Sequence, residues 1–215
     1  MSSPSKRNVP FSLRGLVREL ETQLGPCRRI LEIGCGPDSA LQFLASDREI
    51  EGLDVHEPWL LKAKERGILT NYHLANALEI DTLFQSGQFD AIVALDLIEH
   101  LEKPDGHELI KKMSAVASDR IIIFTPNGFL PQQDESNLWN NHLSGWTVND
   151  FVEQGFSVVG VNGWKQLRGS WAKLRFRPRL FWGAVSELSQ MLLTRNHPKL
   201  AFSLLCTKRI NKRSV

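Results

Sequence analysis

An apolar run enters a glycine turn at Ile30-Leu31-Glu32-Ile33-Gly34-Cys35-Gly36-Pro37, and Asp54 closes the next apolar run, Ile50-Glu51-Gly52-Leu53-Asp54. This arrangement leaves few folds open. Glycines between a strand and a helix let the backbone approach a ligand, and a carboxylate about 20 residues on takes ribose hydroxyls in a doubly wound α/β domain. The spacing predicts an adenosine-containing ligand. The sixth place of a dinucleotide fingerprint calls for glycine or alanine, but here it is Ser39. The preceding Asp38 would repel a pyrophosphate and suits a cationic ligand.

The rest of the chain alternates strand and helix. Residues 11–24 read as an amphipathic helix with Leu13, Leu16, Val17, Leu20 and Leu24 apolar, ended by Gly25-Pro26. Strands are expected at 28–33, 50–54, 69–75, 89–95, 120–125, 156–161 and 200–206. Helices are expected from 39, at 58–66, at 104–117 and at 147–154, the last opened by the capping pair Thr147 and Asp150. Between strand five and that helix lies a long polar loop, 126–145, of a length usual for lids and other functional segments. Alternation of this kind predicts an α/β, doubly wound, Rossmann-like sheet, mostly parallel. Residues 1–10 read as a flexible arm and 11–215 as a single domain, with 164–198 a basic, aromatic-rich insertion between strands six and seven.

Hydrophobic residues make up 42% of the chain, enough for a globular core and too many for disorder. No apolar run is long enough to span a bilayer. Cys27, Cys35 and Cys206 are odd in number and lack metal-site spacing, so they read as free thiols in a reducing, cytoplasmic setting. Cys35 reads as a small filler rather than a nucleophile. The net charge of +2 hides an asymmetry: residues 1–164 hold 14 basic and 23 acidic side chains, and residues 165–215 hold 12 and 1. A segment this basic bears on partners rather than on fold. Within it, 181–193 forms an amphipathic helix with Phe181, Val185, Leu188 and Leu192 on one face. That face is expected to pack on the sheet, with Arg175, Arg177 and Arg179 solvated or paired internally. The alternative is that these arginines meet an anionic acceptor or an acidic membrane surface. Nucleic acid is disfavoured, because the acidic remainder would repel it.

Together these residues resemble the class I S-adenosylmethionine-dependent methyltransferases, in the subgroup of ubiquinone-biosynthesis-like, type 11 small-molecule enzymes. Leu31-Glu32-Ile33-Gly34-Cys35-Gly36 is similar to that family's cofactor loop, and Asp54 to its ribose-binding acid. Phe89 to Leu101, with Asp96-Leu97-Ile98-Glu99-His100, is similar to its fourth-strand motif. Ile121 to Asn127, His142 to Thr147 and Gly155-Phe156 resemble the fifth strand, the lid and the sixth strand. The resemblance covers roughly residues 28–162 and the last strand. It implies seven strands, the last antiparallel and inserted between the fifth and sixth. It also implies S-adenosylmethionine as cofactor, held by Glu32, Gly34, Cys35, Gly36, Asp54, Asn76, Ala77, Leu95 and Asp96. Two positions depart from the family: Asp38 stands where a third glycine is usual and could cap the next helix instead. Asn76 stands for an aspartate that contacts adenine.

Methyl transfer needs alignment above all, and a base only for a poorly acidic acceptor. Asp96, Glu99 and His100 fall at i, i+3 and i+4 and would share one helical face. His100 is a candidate base, with His142 a second over the acceptor by resemblance. Glu99 and His100 could instead brace the loop, or the cluster could hold a divalent metal. The acceptor implied is a small-molecule or lipid-linked oxygen or nitrogen nucleophile. The competing readings are a non-catalytic S-adenosylmethionine-binding module and an NAD-dependent oxidoreductase.

Overall fold

A computed structural model describes residues 8–44, 47–135, 137–169 and 172–210. Residues 1–7 of the expected arm lie outside these. The elements are α1 (Arg14–Leu24), β1 (Arg29–Ile33), β2 (Glu49–Asp54), α2 (Glu57–Glu65), β3 (Asn71–Leu74), α3 (Ile80–Leu83), β4 (Phe89–Leu95), α4 (Lys103–Val116), β5 (Ala117–Pro126), α5 (Val148–Val152), β6 (Ser157–Trp164), α6 (Arg179–Ser189) and β7 (Ala201–Arg209). One seven-stranded sheet runs in the order β3-β2-β1-β4-β5-β7-β6. β1 pairs parallel with β2 and β4, and β2 with β3. β7 is antiparallel to β6 and lies between β5 and β6, as expected. The chain divides within β5 into two compact units, one of 1–95, 107–122 and 209–215, the other of 96–106 and 123–208.

In the first unit the strands read as apolar runs because both faces are covered. Ile30, Leu31 and Ile33 of β1 and Ala91 to Ala94 of β4 are buried. α1 buries Leu16, Leu20 and Leu24, and α4 buries Leu109, Ile110 and Met113, in each case the apolar stripe of a 3.6-residue period. The helix expected from residue 39 is only a 3-10 turn, Ala40–Phe43. A 3-10 turn and α3 at 77–83 were not foreseen. Their signal is the capping box Asn76-x-x-Glu79, which the structure forms.

In the second unit Trp146 is fully buried. Its indole nitrogen donates to Ser144 Oγ at 2.9 Å, and the Lys103 ammonium sits 3.8 Å over its ring. This tryptophan is core packing, whereas Trp139 is exposed. The Thr147–Asp150 capping box opens α5 as expected.

α6 corrects the sequence reading. Phe181, Leu188 and Leu192 do not pack on the sheet: all three are exposed. The buried stripe of α6 and the helical turn that follows it, Gln190–Thr194, is Gly183, Ser186, Gln190 and Thr194. The reason is a close approach between backbones. A Cβ at Gly160 of β6 would lie 2.0 Å from the Thr194 carbonyl oxygen, and one at Gly163 would lie 2.3 Å from that of Ser186. Only small or polar side chains fit at such a contact. Arg168 completes it, donating to Asn162 O at 2.8 Å, to Ala172 O at 2.9 Å and to Ser186 Oγ at 3.2 Å.

Gly160→Ala tests this packing. At an unhindered site the change stabilises, by limiting the unfolded chain. Here the methyl meets backbone, and the variant is expected to lose about 1–3 kcal/mol in urea unfolding, the range for overpacking. An unchanged or raised midpoint would contradict the close approach.

Candidate functional site

The glycine turn lies in the first unit, where β1 stops beside β2. Gly34 and Gly36 have φ of 67° and 52°, the left-handed region that glycine enters freely. The N–H groups of Gly34 and Cys35 donate to Leu53 O at 2.7 and 3.2 Å. Asp54 then clamps the loop: Oδ2 accepts from the Gly36 N–H at 3.0 Å and Oδ1 from the His56 N–H at 2.8 Å. A Cβ on Gly36 would meet nothing within 4 Å. Cys35 is buried against Gly52, where a Cβ would fall 2.8 Å from its sulfur. Burial raises this thiol's pKa, which fits a filler.

Glu32 is buried, and its Oε2 has no hydrogen-bond partner among the described residues. Burial pushes its carboxyl up to about 8, with Ser39 opposing and Asp54 reinforcing the rise. Asp38 does not cap the next turn. It pairs with Arg66, and the cap is Ser39, whose Oγ accepts from the Leu41 N–H at 3.0 Å. Asn76 spends its side-chain oxygen on a cap, accepting from the Leu78 N–H at 2.9 Å, and Ala77 opens that turn. The N–H of Ala75 donates to Asp54 O at 3.1 Å, which ties this corner to the clamp. Leu95 closes β4, half-buried.

The second unit carries Asp96, Glu99, His100 and His142. The expected helix is a single 3-10 turn, Ile98–His100. Asp96 precedes it with φ 48°, its N–H on Phe124 O at 2.9 Å. This left-handed step leaves Asp96 outside the turn, so the expected helical face does not form, although the Asp96 carboxyl still acts on Glu99. Glu99 is buried and accepts from the Thr125 hydroxyl at 3.0 Å. Its backbone carbonyl accepts from the N–H groups of Leu143 and Ser144 at 2.8 and 3.0 Å, which holds His142 in place. Burial, with the Asp96 charge, raises the Glu99 carboxyl well above the usual carboxylate range.

His100 Nδ1 lies 3.0 Å from Asn141 O and His142 Nδ1 lies 2.6 Å from Leu130 O. A carbonyl can only accept, so each Nδ1 carries the proton and each Nε2 presents a lone pair. Burial lowers both histidines, which keeps them neutral. Their rings meet edge-on with centroids 4.9 Å apart. One donor atom each from Glu99, His100 and His142 all lie within 4.8 Å of one another. Thr125 and the carbonyls of Leu130 and Asn141 were missed from sequence. Thr125 left a signal as the polar end of an apolar strand, but a backbone carbonyl leaves none.

The Glu32 carboxyl yields a pH dependence. Its unfolded value is 4.5 and its folded value about 8, so between these the folded state keeps a proton the unfolded state has lost. Stability therefore falls as pH rises through that window, by at most about 1.4 kcal/mol per pH unit, and levels above it. Glu32→Gln should remove this slope and gain on the wild type as pH rises. Urea unfolding at the two ends of the window checks it, and an equal difference at both ends would contradict the assignment.

The methyltransferase domain family model matches residues 30–119. The ubiquinone biosynthesis O-methyltransferase of Bordetella avium is 28% identical over 94 residues, a match covering 41% of this chain and 38% of that protein. The enzyme of the same name from Bordetella bronchiseptica is 27% identical over 95 residues, covering 42% and 38%. The matched stretch thus spans well under half the length of these curated relatives. Among solved structures, a SAM-dependent methyltransferase from Archaeoglobus fulgidus superposes with TM-score 0.60 at 16% identity, over 90% of this chain and 91% of that one. Magnesium protoporphyrin IX methyltransferase from Synechocystis PCC 6803 superposes with TM-score 0.53 at 14% identity, over 93% and 78%. These likenesses show the fold, and they agree with the strand order found here. The match over 30–119 covers less than half of this chain and marks that stretch as similar to the methyltransferase domain family.

Proposed function

We propose that the chain binds S-adenosylmethionine through Glu32, Gly34, Cys35, Gly36, Asp54, Asn76, Ala77, Leu95 and Asp96, and transfers a methyl group. The acceptor in this reading is an oxygen or nitrogen of a small-molecule or lipid-linked compound, with 11–215 acting as one catalytic domain. The observation that carries it is the buried Glu32 oxygen without a partner, beside a glycine loop clamped by Asp54. A lone buried carboxyl oxygen is costly, and an ammonium donor would supply its missing partner and favour its ionised form. Asp54 uses one lone pair per oxygen on backbone, and a carboxylate has about four, so two ribose hydroxyls can still be accepted. The residues present therefore fit an amino-acid nucleoside.

The bound cofactor supplies an electrophilic sulfonium methyl group. The chain's part is to orient, to keep the loop rigid and to take a proton where the acceptor has one. Gly34 and Gly36 give the close approach, and Cys35 fills the space beneath. Neutral His100 and His142 offer Nε2 as proton acceptors, with tautomers fixed by backbone carbonyls. Glu99, its carboxyl raised by burial, braces their turn through Thr125.

A second reading rests on the convergence of Glu99, His100 and His142. Two neutral imidazoles, each backed by a carbonyl on Nδ1, together with the Glu99 carboxyl, are a donor set for a divalent cation. There a cation would supply Lewis-acid activation of a hydroxyl acceptor.

Titration calorimetry tests both readings. S-adenosylmethionine should bind and NAD should not. Asp54→Ala should weaken binding by about 1.5–3 kcal/mol, the range for charge-assisted hydrogen bonds. Unchanged affinity, or binding of NAD instead, would refute the cofactor reading. Magnesium or zinc should bind the wild type and not His142→Ala if the second reading holds. Equal heats from the two proteins would exclude it.

A further inference from the structure

α6 and the turn after it are built inside out. Toward β6 they present Gly183, Ser186, Gln190 and Thr194. On this face Ser186 Oγ donates to Asn162 O at 3.0 Å and Gln190 Oε1 accepts from the Asn162 N–H at 2.9 Å, whereas Gln190 Nε2 and Thr194 Oγ1 have no partner among the described residues. Toward solvent they present Leu180, 87% exposed, and Leu192, 73% exposed, with Phe181, Leu188 and Met191 each more than half exposed. Nothing among the described residues covers this face. Contiguous exposed apolar surface of this kind marks a contact with something else.

The charge around it says what. Lys173, Arg175, Arg177 and Arg179 lead into the helix and are exposed, and Lys199 follows it, also exposed. Glu187 is the only acidic residue in 165–215. Phe176 and Phe181 flank Trp182 with ring centroids 4.9 and 5.3 Å away, an aromatic cluster among the arginines. An apolar helix face with basic and aromatic residues at its border is the composition of a helix lying in a membrane interface. A second copy of this chain is a poorer occupant. A two-fold contact would set each arginine row against the same face of its partner. An anionic bilayer supplies both an apolar interior and the opposite charge. The helical stretch 179–194 is about 24 Å long at 1.5 Å per residue, too short to span and suited to lying flat. Among the described residues no helix is long and apolar enough to cross a membrane.

We propose that the outward face of α6 and its following turn, with the Lys173–Arg179 segment, docks this protein on an anionic lipid surface. The inference does not depend on methyl transfer, and its readout involves no cofactor.

Co-sedimentation with phosphatidylcholine vesicles, with and without phosphatidylglycerol, tests it at low and moderate salt. The wild type should pellet with the anionic vesicles alone, and less as salt rises. Changing Arg175, Arg177 and Arg179 together to Gln should lower partitioning roughly 10²-fold, at about 1 kcal/mol for each residue. Leu180→Ser with Leu192→Ser should lower it at least tenfold, and thermal melts should be unchanged because these side chains are exposed. A wild type that stays in the supernatant at low salt overturns the proposal, as does pelleting indifferent to lipid charge or to the leucines. A dimer in sedimentation equilibrium that the two serines dissolve would assign the face to a second copy.

Discussion

The parallel register of β1 on β2 sets Ile33 opposite Leu53, and the first candidate site follows from that pairing. Just beyond the ladder, Gly34 and Cys35 share the Leu53 carbonyl, and Asp54, the residue after Leu53, captures the Gly36 N–H. Shifting β2 by one residue would turn Asp54 to the other face and release the loop. The left-handed glycines are needed because the chain must reverse within this short clamp. The burial that raises Glu32 comes from the same strand, whose neighbours on both sides are apolar. Chemistry near the loop is thus inherited from sheet geometry rather than from any one side chain.

The second cluster rests on backbone hydrogen bonds. The Glu99 carbonyl holds the start of the segment carrying Leu143 and Ser144, and carbonyls at 130 and 141 orient the two imidazoles. Both histidines therefore share one tautomer, and burial keeps them neutral. That state serves a base or a cation ligand equally well, so the calorimetric comparison of metals is informative where geometry is not.

Strand positions and the glycine loop were legible because they depend on local apolar runs and on glycine, which have few uses, whereas the antiparallel last strand was expected from the family resemblance alone. The residue groupings at the second cluster were half legible. Glu99 and His100 lie together as their spacing implies, but the positive φ at Asp96 breaks the face, and no side-chain type announces that step. Asn76 carried its own capping signal in Glu79 and was read for a ligand role first. α6 shows the limit most plainly. Periodicity finds an apolar face, but it does not say whether protein or solvent lies opposite. That was decided by Gly160 and Gly163, which admit a helix only with its small face inward.

A structure of the protein with S-adenosylhomocysteine bound tests the central claim most directly. The account predicts the ligand's amino nitrogen about 3 Å from Glu32 Oε2 and its ribose hydroxyls on Asp54, hydrogen-bond distances for such pairs. A nucleoside bound away from the Gly34–Gly36 loop, or one leaving both carboxylates untouched, would contradict it.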